Sequence, residues 1–144
     1  MVEHPFHLAI EVRDIAEARR FYSGVLGFSE GRSADTWVDF DMYGHQLVAH
    51  LNPALGTRGK VAKVTSDLDG DHVPVPHFGV VLNVEAWDEL CASVAARVKD
   101  FVVKPRVRFA GQVGEQRTMF FLDPSGNAIE FKAFKCVEAS LFAV

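Results

Sequence analysis

The chain alternates apolar and polar residues in several short stretches and, in two places, spaces its apolar residues as a helix does. Alternation over 7–12 predicts a strand, and apolar side chains every three or four residues over 15–26 predict an amphipathic helix. Asp14 and Glu17 form an Asp-x-x-Glu pattern typical of a helix N-terminus, and Gly27 suits the helix end. Three more strands are predicted at 28–32, 36–43 and 46–51. The first part of the chain therefore predicts one βαβββ unit.

The same order of elements returns after a long connection at 52–76, which is rich in glycine, proline and charged residues. We interpret this connection as the join between two half-domains, without regular structure of its own. A strand at 77–82 opens with a histidine, as the first strand does, and a helical pattern follows it at 84–98. Further strands are predicted at 102–109, 118–122 and 129–134. These elements predict a second βαβββ unit.

The two units match each other at more than their order of elements. His7 and His77 open equivalent strands, and Gly44 and Gly126 occupy equivalent turns. This match indicates a weak internal duplication. We therefore expect a single domain of 144 residues. Its parts are a first unit at about 4–52, the connection at 52–76, a second unit at about 77–134 and a tail at 135–144.

One carboxylate stands out in the last predicted strand. The sequence Asp123-Pro124-Ser125-Gly126 is typical of a type I turn, so the residues around it predict a β-hairpin. Four residues beyond the turn glycine, Glu130 lies between two apolar neighbours. Taken alone, Glu130 is either a solvent-facing residue on a one-sided sheet or a functional carboxylate.

Composition narrows the classes of function. The net charge of −4 gives no reason to expect nucleic acid or an anionic membrane as a partner. No apolar run approaches the roughly 20 residues that span a bilayer, and the N-terminus lacks the pattern of a secretory signal. The two cysteines are far apart and form no C-x-x-C pair. We therefore expect a reduced, cytoplasmic protein.

Two βαβββ units that each open with a histidine, together with the sequences FYSGVLGF and LDPSGNAIEF, resemble the vicinal oxygen chelate superfamily. That superfamily includes glyoxalase I, extradiol dioxygenases, and bleomycin- and fosfomycin-resistance proteins. The resemblance covers roughly residues 4–134. It implies an α+β fold in which the curved mixed sheets of two βαβββ units form an open barrel-like cavity, with the helices outside. It also implies a homodimer, and leaves open whether the barrel forms within one chain or by exchange between two.

By position, the resemblance assigns metal binding to His7, His77 and Glu130. Two imidazoles and one carboxylate can occupy one face of an octahedral ion and leave other positions open for a substrate. This donor set favours Fe(II), with Mn, Ni, Co and Zn as alternatives. The competing interpretation is a metal-free relative that keeps these residues as buried polar groups.

The sequence departs from two well-known branches of the superfamily. Phe120 stands where extradiol dioxygenases carry a tyrosine, and Val48 stands where bacterial-type glyoxalase I supplies a glutamate ligand. His50 lies two residues beyond Val48 on the same strand face. We expect His50 to face the cavity as a catalytic acid/base group or to hold a ligand in place, and to become a fourth ligand only if the strand bulges. The alternative is a histidine packed in the core.

Three functions remain open from the sequence. The favoured one is a metal-dependent enzyme with dioxygenase-like chemistry on a small molecule that chelates through oxygen. The second is an isomerase or lyase of the glyoxalase I type, which removes a proton from its substrate. The third is a drug-sequestering binding protein of the resistance type, which needs no catalytic metal.

Overall fold

The computed structural model describes residues 2–144, and their contacts divide them into two units. The first unit comprises the chain through Ala62 together with Asp123–Asn127. The second comprises Lys63–Leu122 and Ala128–Val144. Their boundary lies inside the connection predicted at 52–76. No helix in the described chain combines the length and apolar character needed to cross a bilayer.

The first unit has the predicted βαβββ order. Its elements are β1 (His7–Val12), α1 (Ile15–Arg19) with a π-helical continuation (Arg20–Val25), β2 (Ser29–Ala34), β3 (Trp37–Met42), β4 (His45–Leu51) and a short 3-10 helix (Pro53–Leu55). The strands form one sheet in the order β1-β4-β3-β2, with β1 parallel to β4 and the other neighbours antiparallel.

The two faces of this sheet differ in polarity, as the alternation predicted. On one face the β3 and β4 side chains are buried together with those of the helix; this set includes Val38, Phe40, Leu47, Ala49, Phe21 and Tyr22. The Tyr22 and Phe40 rings lie 5.2 Å apart between centroids. The opposite face carries His7, Asp39 and Gln46. His7 lies directly opposite Gln46, and Asp39 lies opposite Val48, two residues further along β4. Alternation alone therefore presents the candidate histidine on the polar face.

Helix α1 begins where the sequence predicted. The Asp14 carboxylate accepts a hydrogen bond from the backbone N–H of Glu17 at 2.7 Å, which satisfies one free donor of the first turn. The Glu17 carboxylate does not complete a capping box. It accepts instead from the Arg13 guanidinium, at 2.7 and 3.0 Å. Gly27 follows the helical segment with a φ of 78°, a left-handed conformation that glycine adopts without strain.

The second unit repeats this plan and adds a hairpin. Its elements are β5 (Val64–Leu68), β6 (Asp71–Val75), β7 (His77–Phe78), β8 (Val81–Leu82), α2 (Val84–Arg97), β9 (Phe101–Arg108), β10 (Gln116–Leu122), β11 (Ala128–Phe134) and α3 (Val137–Ser140). The main sheet has the order β7-β11-β10-β9, and β8 also pairs with β11. Both βαβββ units and the α+β class are therefore confirmed.

The connection at 52–76 is not structureless, contrary to the prediction. Strands β5 and β6 pair antiparallel, and the hairpin turns at Asp69 and Gly70. Both turn residues have positive φ, 50° and 88°, as a tight hairpin turn of this type requires. Asp-Gly is among the strongest hairpin signals in a sequence. The prediction rested on the polar composition of the segment and did not use this signal.

The first strand of the second unit, predicted as continuous over 77–82, is broken at its centre. His77 pairs with Ala128 and Val81 with Lys132, so the register on β11 is the same on both sides of the break. Gly79 therefore lies opposite Glu130. A Cβ at position 79 would overlap the carbonyl oxygen of Glu130. Only glycine fits this close approach to the strand that carries the candidate carboxylate.

Strand register supports the internal duplication. His7 lies opposite Gln46, two residues past Gly44, and His77 lies opposite Ala128, two residues past Gly126. Both turn glycines have left-handed backbones, with φ of 88° and 84°. The two histidines thus hold equivalent positions, each within its own unit.

The turn before β11 is held by a buried carboxylate. Asp123 is 1% exposed, and Gly126 N–H donates to its carbonyl oxygen at 3.0 Å, which closes the predicted turn. The Asp123 carboxylate accepts from the Tyr22 hydroxyl at 2.7 Å and from the Asn127 backbone and side-chain N–H groups at 2.8 and 2.9 Å. Three donors therefore compensate for its removal from water.

Burial and hydrogen bonding act in opposite directions on the Asp123 carboxyl. Burial dominates and raises its pKa, while the donors from Tyr22 and Asn127 lower it. Burial also raises the pKa of Tyr22 well above its usual range, and the neighbouring carboxylate adds to that rise. A raised pKa in the folded state means that each group stabilises the fold most below its ordinary pKa and less as the pH rises.

Replacing Tyr22 with phenylalanine should lower the free energy of unfolding by about 1.5–3 kcal/mol at pH 7, because the buried carboxylate loses its hydroxyl donor. This loss should shrink as the pH falls toward 4, since a protonated Asp123 costs less to bury without that donor. In the parent protein, the contribution of Tyr22 should decrease above pH of about 10, where the unfolded chain ionises. Urea unfolding across this pH range measures each effect.

Tyr43→Phe serves as the control, because it makes the same chemical change at a side chain that is 36% exposed. Equal losses of unfolding free energy in the two variants, or a loss in Tyr22→Phe that does not vary with pH, would contradict this account of Asp123.

Candidate functional site

Glu130 lies on β11, and each of its two carboxylate oxygens contacts different neighbours. Oε1 accepts a hydrogen bond from Thr118 Oγ1 on β10 at 2.9 Å and lies 3.8 Å from Lys132 Nζ. Oε2 faces the His77 ring, 3.5 Å from Nε2. The Glu130 side chain is 12% exposed, so it is largely removed from solvent. The Thr118 hydroxyl, itself buried, thereby aims the other oxygen at His77.

His77 is oriented by contacts on its far side. Its Nδ1 lies 2.7 Å from the carbonyl oxygen of Pro74, which can only accept a hydrogen bond. Nδ1 therefore carries a proton, and Nε2 is turned towards Glu130 Oε2. The Phe120 ring packs edge-on against the imidazole, with centroids 4.8 Å apart. The histidine is thus held in one orientation and one tautomer.

His7, in the first unit, has the same arrangement of ring nitrogens. Its Nδ1 lies 2.7 Å from Gln46 Oε1, an acceptor on the neighbouring strand β4. The Gln46 amide is itself oriented, because its Nε2 donates to Asp39 Oδ2 on β3 at 3.2 Å. Nδ1 of His7 therefore donates, and its Nε2 is the nitrogen that a ligand could reach.

Each unit has a cavity near its candidate histidine. In the second unit His77 itself lines the cavity, and in the first unit Gln46, the hydrogen-bond partner of His7, does so. In the second unit a cavity of about 310 Å³ is lined by His77, Glu130 and Lys132, together with Gly79, Val81 and Leu141. In the first unit a groove of about 470 Å³ is lined by Asp39 and Gln46, together with Glu30, Asp41 and His45. Both are large enough for a small molecule.

The structure brings together two of the three predicted metal ligands. His77 and Glu130 lie side by side in the wall of the second unit's cavity, 3.5 Å apart, whereas His7 belongs to the first unit. Within residues 2–144, no three His, Cys, Asp or Glu side chains are grouped as a metal site. The donor set of His77 and Glu130 nevertheless suits a divalent ion, since an imidazole nitrogen and a carboxylate oxygen lie 3.5 Å apart.

His50 is exposed on β4, on the same sheet face as His7. It lies opposite Glu11 on β1 and Trp37 on β3. β4 pairs with both neighbours without a register shift, so the bulge that would make His50 a fourth ligand is not present in this strand. Four residues separate it from Gln46, the partner of His7, which is about 13 Å along a strand. This distance suits contact with a bound molecule better than coordination of an ion beside His7.

Several residues that orient the candidate ligands were not found from the sequence. Thr118 could have been found, because its position opposite Lys132 places it on the face of Glu130 once the register is known. Gln46 lies on the strand face that was assigned to Val48 and His50. The Pro74 carbonyl gives no sequence signal, because any residue in that place supplies the same atom.

Comparison with known proteins agrees with this fold. Residues 4–131 match the family model of the Glyoxalase/Bleomycin resistance protein/Dioxygenase superfamily. A glyoxalase/bleomycin resistance protein/dioxygenase from Alicyclobacillus acidocaldarius is 31% identical, with a TM-score of 0.72 over 94% of this chain and 95% of that one. No protein of curated function matches the sequence.

Two more distant structures share the fold. The fosfomycin resistance protein FosX from Listeria monocytogenes is 19% identical, with a TM-score of 0.65 over 93% of this chain and 95% of that one. FosX from Mesorhizobium loti is also 19% identical, with a TM-score of 0.64 over 96% and 98% of the two chains. With the family match over residues 4–131, the chain belongs to the glyoxalase/bleomycin resistance protein/dioxygenase superfamily.

Proposed function

We propose that this protein is a metal-dependent enzyme in which His7, His77 and Glu130 hold a divalent ion. Its substrate is a small molecule that offers two neighbouring oxygen atoms. The observation that carries the proposal is the 3.5 Å approach of His77 Nε2 to Glu130 Oε2, with the opposite atom of each side chain engaged elsewhere. A residue that only fills a polar surface does not need hydrogen bonds that fix the direction of its remaining polar atom.

The separation of these atoms supports coordination. Two donors that each lie about 2.1 Å from one ion, at an angle of 90–110°, are roughly 3.0–3.4 Å apart. Metal-bound histidines almost always donate their other ring N–H to a carbonyl or carboxylate, which fixes the tautomer. His77 does this with Pro74, and Thr118 fixes the carboxylate in a similar way.

His7 is proposed as the third ligand because it is the counterpart of His77. The two residues hold the same register position in their units, and both direct Nδ1–H to an oxygen acceptor. His7 then comes either from the same chain or from a second copy of it. We favour a homodimer.

The bound ion would hold the two substrate oxygens and stabilise negative charge as it develops on them. Iron(II) is the favoured metal, since two imidazoles and one carboxylate leave positions open, with Mn, Ni, Co and Zn as alternatives. Thr118 keeps Glu130 in place, and Lys132 supplies a positive charge on the same face. Phe120 covers one side of the His77 ring and provides no proton.

Because Phe120 cannot act as an acid or base, proton transfer must use another side chain. His50 is proposed for this role, since it is exposed on the His7 face of the first sheet and at a distance along β4 that a bound molecule can bridge. Oxygen-dependent cleavage is the favoured reaction class. An isomerase or lyase reaction is the second candidate, favoured by the presence of His50 and Lys132 as proton-handling groups.

Replacing Glu130 with alanine should remove most of the bound metal, because the site loses its one anionic ligand and keeps only neutral imidazoles. Metal content per chain, measured by elemental analysis after anaerobic loading with iron(II), reports this loss. Glu89→Ala makes the same change at an exposed position on α2 and should leave metal content unchanged. Equal metal content in the two variants would reject Glu130 as a ligand.

The reaction class is tested by oxygen uptake. Iron-loaded protein should consume oxygen with at least one member of a panel of catechols, and consumption should disappear in Glu130→Ala. Conversion of a thiol hemiacetal without oxygen uptake would assign the isomerase or lyase class instead. Tight ligand binding with no turnover and no bound metal would support the third possibility, a sequestering protein.

His50→Ala should keep its metal, within a loss of about 10–100-fold in affinity, while turnover of the true substrate falls by about 10²–10⁴-fold. The reason is that His50 lies too far along β4 from the level of His7 to bind the same ion. Metal analysis and kinetics on one preparation separate the two effects. Complete loss of metal would make His50 a ligand, and unchanged turnover would remove it from the mechanism.

A further inference from the structure

We propose that the β5–β6 hairpin is the positioning element of His77. Its docking on the second sheet keeps Nδ1 as a donor and Nε2 as the ligating atom. The inference rests on the proposed role of His77 as a metal ligand, and goes beyond it by assigning a function to a segment outside both βαβββ units.

The first support is the contact between the hairpin and the imidazole. Pro74, on β6, supplies the carbonyl oxygen that lies 2.7 Å from His77 Nδ1. No other hydrogen bond to His77 Nδ1 is seen in the part of the chain that the structure describes. If the hairpin moved, the ring would lose this acceptor, and the tautomer with the proton on Nε2 would become accessible. A protonated Nε2 cannot bind a metal ion.

The second support is apolar packing on the sheet face that carries Glu130. Val73 on β6 is 5% exposed and forms a buried cluster with Phe120 and Ala128. Val103 and Leu122 pack against the same cluster. Phe120 also contacts the His77 ring, so hairpin packing and histidine orientation share one side chain. The hairpin is therefore seated beside the candidate ligands and not free in solvent.

The third support is a pair of ionic contacts to the edge strand β9. Arg106 pairs with Asp71, and Arg108 pairs with Asp69, at 2.5 and 2.9 Å. Asp69 is the first residue of the hairpin turn and Asp71 directly follows the turn, and the two arginines lie two residues apart on β9. Single exposed ion pairs contribute little to stability. Two adjacent pairs that hold one hairpin in one place can decide its position, because the apolar contact beneath it is small.

Docking and metal binding are then linked. An ion bound at Nε2 requires the proton on Nδ1, and that proton is held by the docked hairpin. By reciprocity, whatever releases the hairpin weakens the metal, and the metal in turn stabilises the docked hairpin. Arg106, Arg108 and the two aspartates act on the site through His77, so they are positioning residues and not catalytic ones.

The test compares Arg106→Gln/Arg108→Gln with Arg117→Gln. Arg117 pairs with Asp88 of α2 at 2.8 Å, so its substitution breaks an ion pair in the same unit away from the hairpin. The first measurement is the nitrogen NMR spectrum of the His77 ring in metal-free protein, which reports which ring nitrogen carries the proton. The second is Mn²⁺ affinity by calorimetry.

We expect the double variant to show a mixture of the two neutral His77 tautomers and a 10–100-fold loss of Mn²⁺ affinity. Arg117→Gln should match the parent in both measurements. If the double variant does not fold, Asp69→Asn/Asp71→Asn breaks the same two pairs from the hairpin side. A single Nδ1–H tautomer and parental affinity in the folded double variant would overturn the proposal.

The two measurements also separate this inference from the proposed function. If the parent protein binds no Mn²⁺ and no iron(II), the metal site fails, while the tautomer comparison in metal-free protein still decides whether the hairpin orients His77. If metal binding depends on Glu130 but the His77 tautomer is the same with and without the hairpin ion pairs, only the inference about the hairpin fails.

Discussion

The buried carboxylate of Asp123 is the interaction on which the candidate site depends most. It receives three hydrogen bonds at the turn where β10 ends and β11 begins. A strand that starts one residue earlier or later would present its opposite set of side chains. The hydrogen bonds of Asp123 therefore help to fix on which face of the sheet each set of β11 side chains lies, and with it the placement of Glu130 opposite Phe120. The Asp123 carboxylate is tolerated in the core because its three hydrogen bonds define one geometry of the turn.

The three candidate ligands have one feature in common: one polar atom of each side chain is held by a hydrogen bond, which orients the other polar atom. Pro74 holds one nitrogen of His77, Gln46 holds one nitrogen of His7, and Thr118 holds one oxygen of Glu130. The three partners are a backbone carbonyl, a side-chain amide and a hydroxyl. Their chemical variety indicates that the orientation of each ligand, and not a shared motif, is what the fold maintains.

Much of the fold could be predicted from the sequence, because alternation, helical spacing and turn residues agree along both units. The duplication was visible from His7, His77 and the two turn glycines, and strand register bears it out. The β5–β6 hairpin was missed because β5 is exposed throughout and β6 buries only Val73, so hydrophobic alternation gave little signal there. The break at Gly79 was missed because the close approach of β11 to this residue depends on the tertiary structure.

The site could be predicted only in part. Side chains that sequence analysis can weigh, such as Glu130 and His77, were chosen from their place in the repeat, and the structure brings these two together. The groups that orient them depend on strand register and on a backbone atom, neither of which a residue pattern records. Metal binding by His7, His77 and Glu130 and proton transfer by His50 are proposals.

The break at Gly79 has a consequence for how the two halves have diverged. In the first unit the equivalent residue pair is Ala9 and Val48, which continues an unbroken ladder between β1 and β4. In the second unit the pair is Gly79 and Glu130, where the ladder is interrupted. One half has thus kept a regular strand and an apolar side chain, while the other has given up one rung of its sheet at the position of the carboxylate. After duplication, the two copies of the βαβββ plan have thus come to differ at this residue pair, one in an unbroken ladder and the other in an interrupted one.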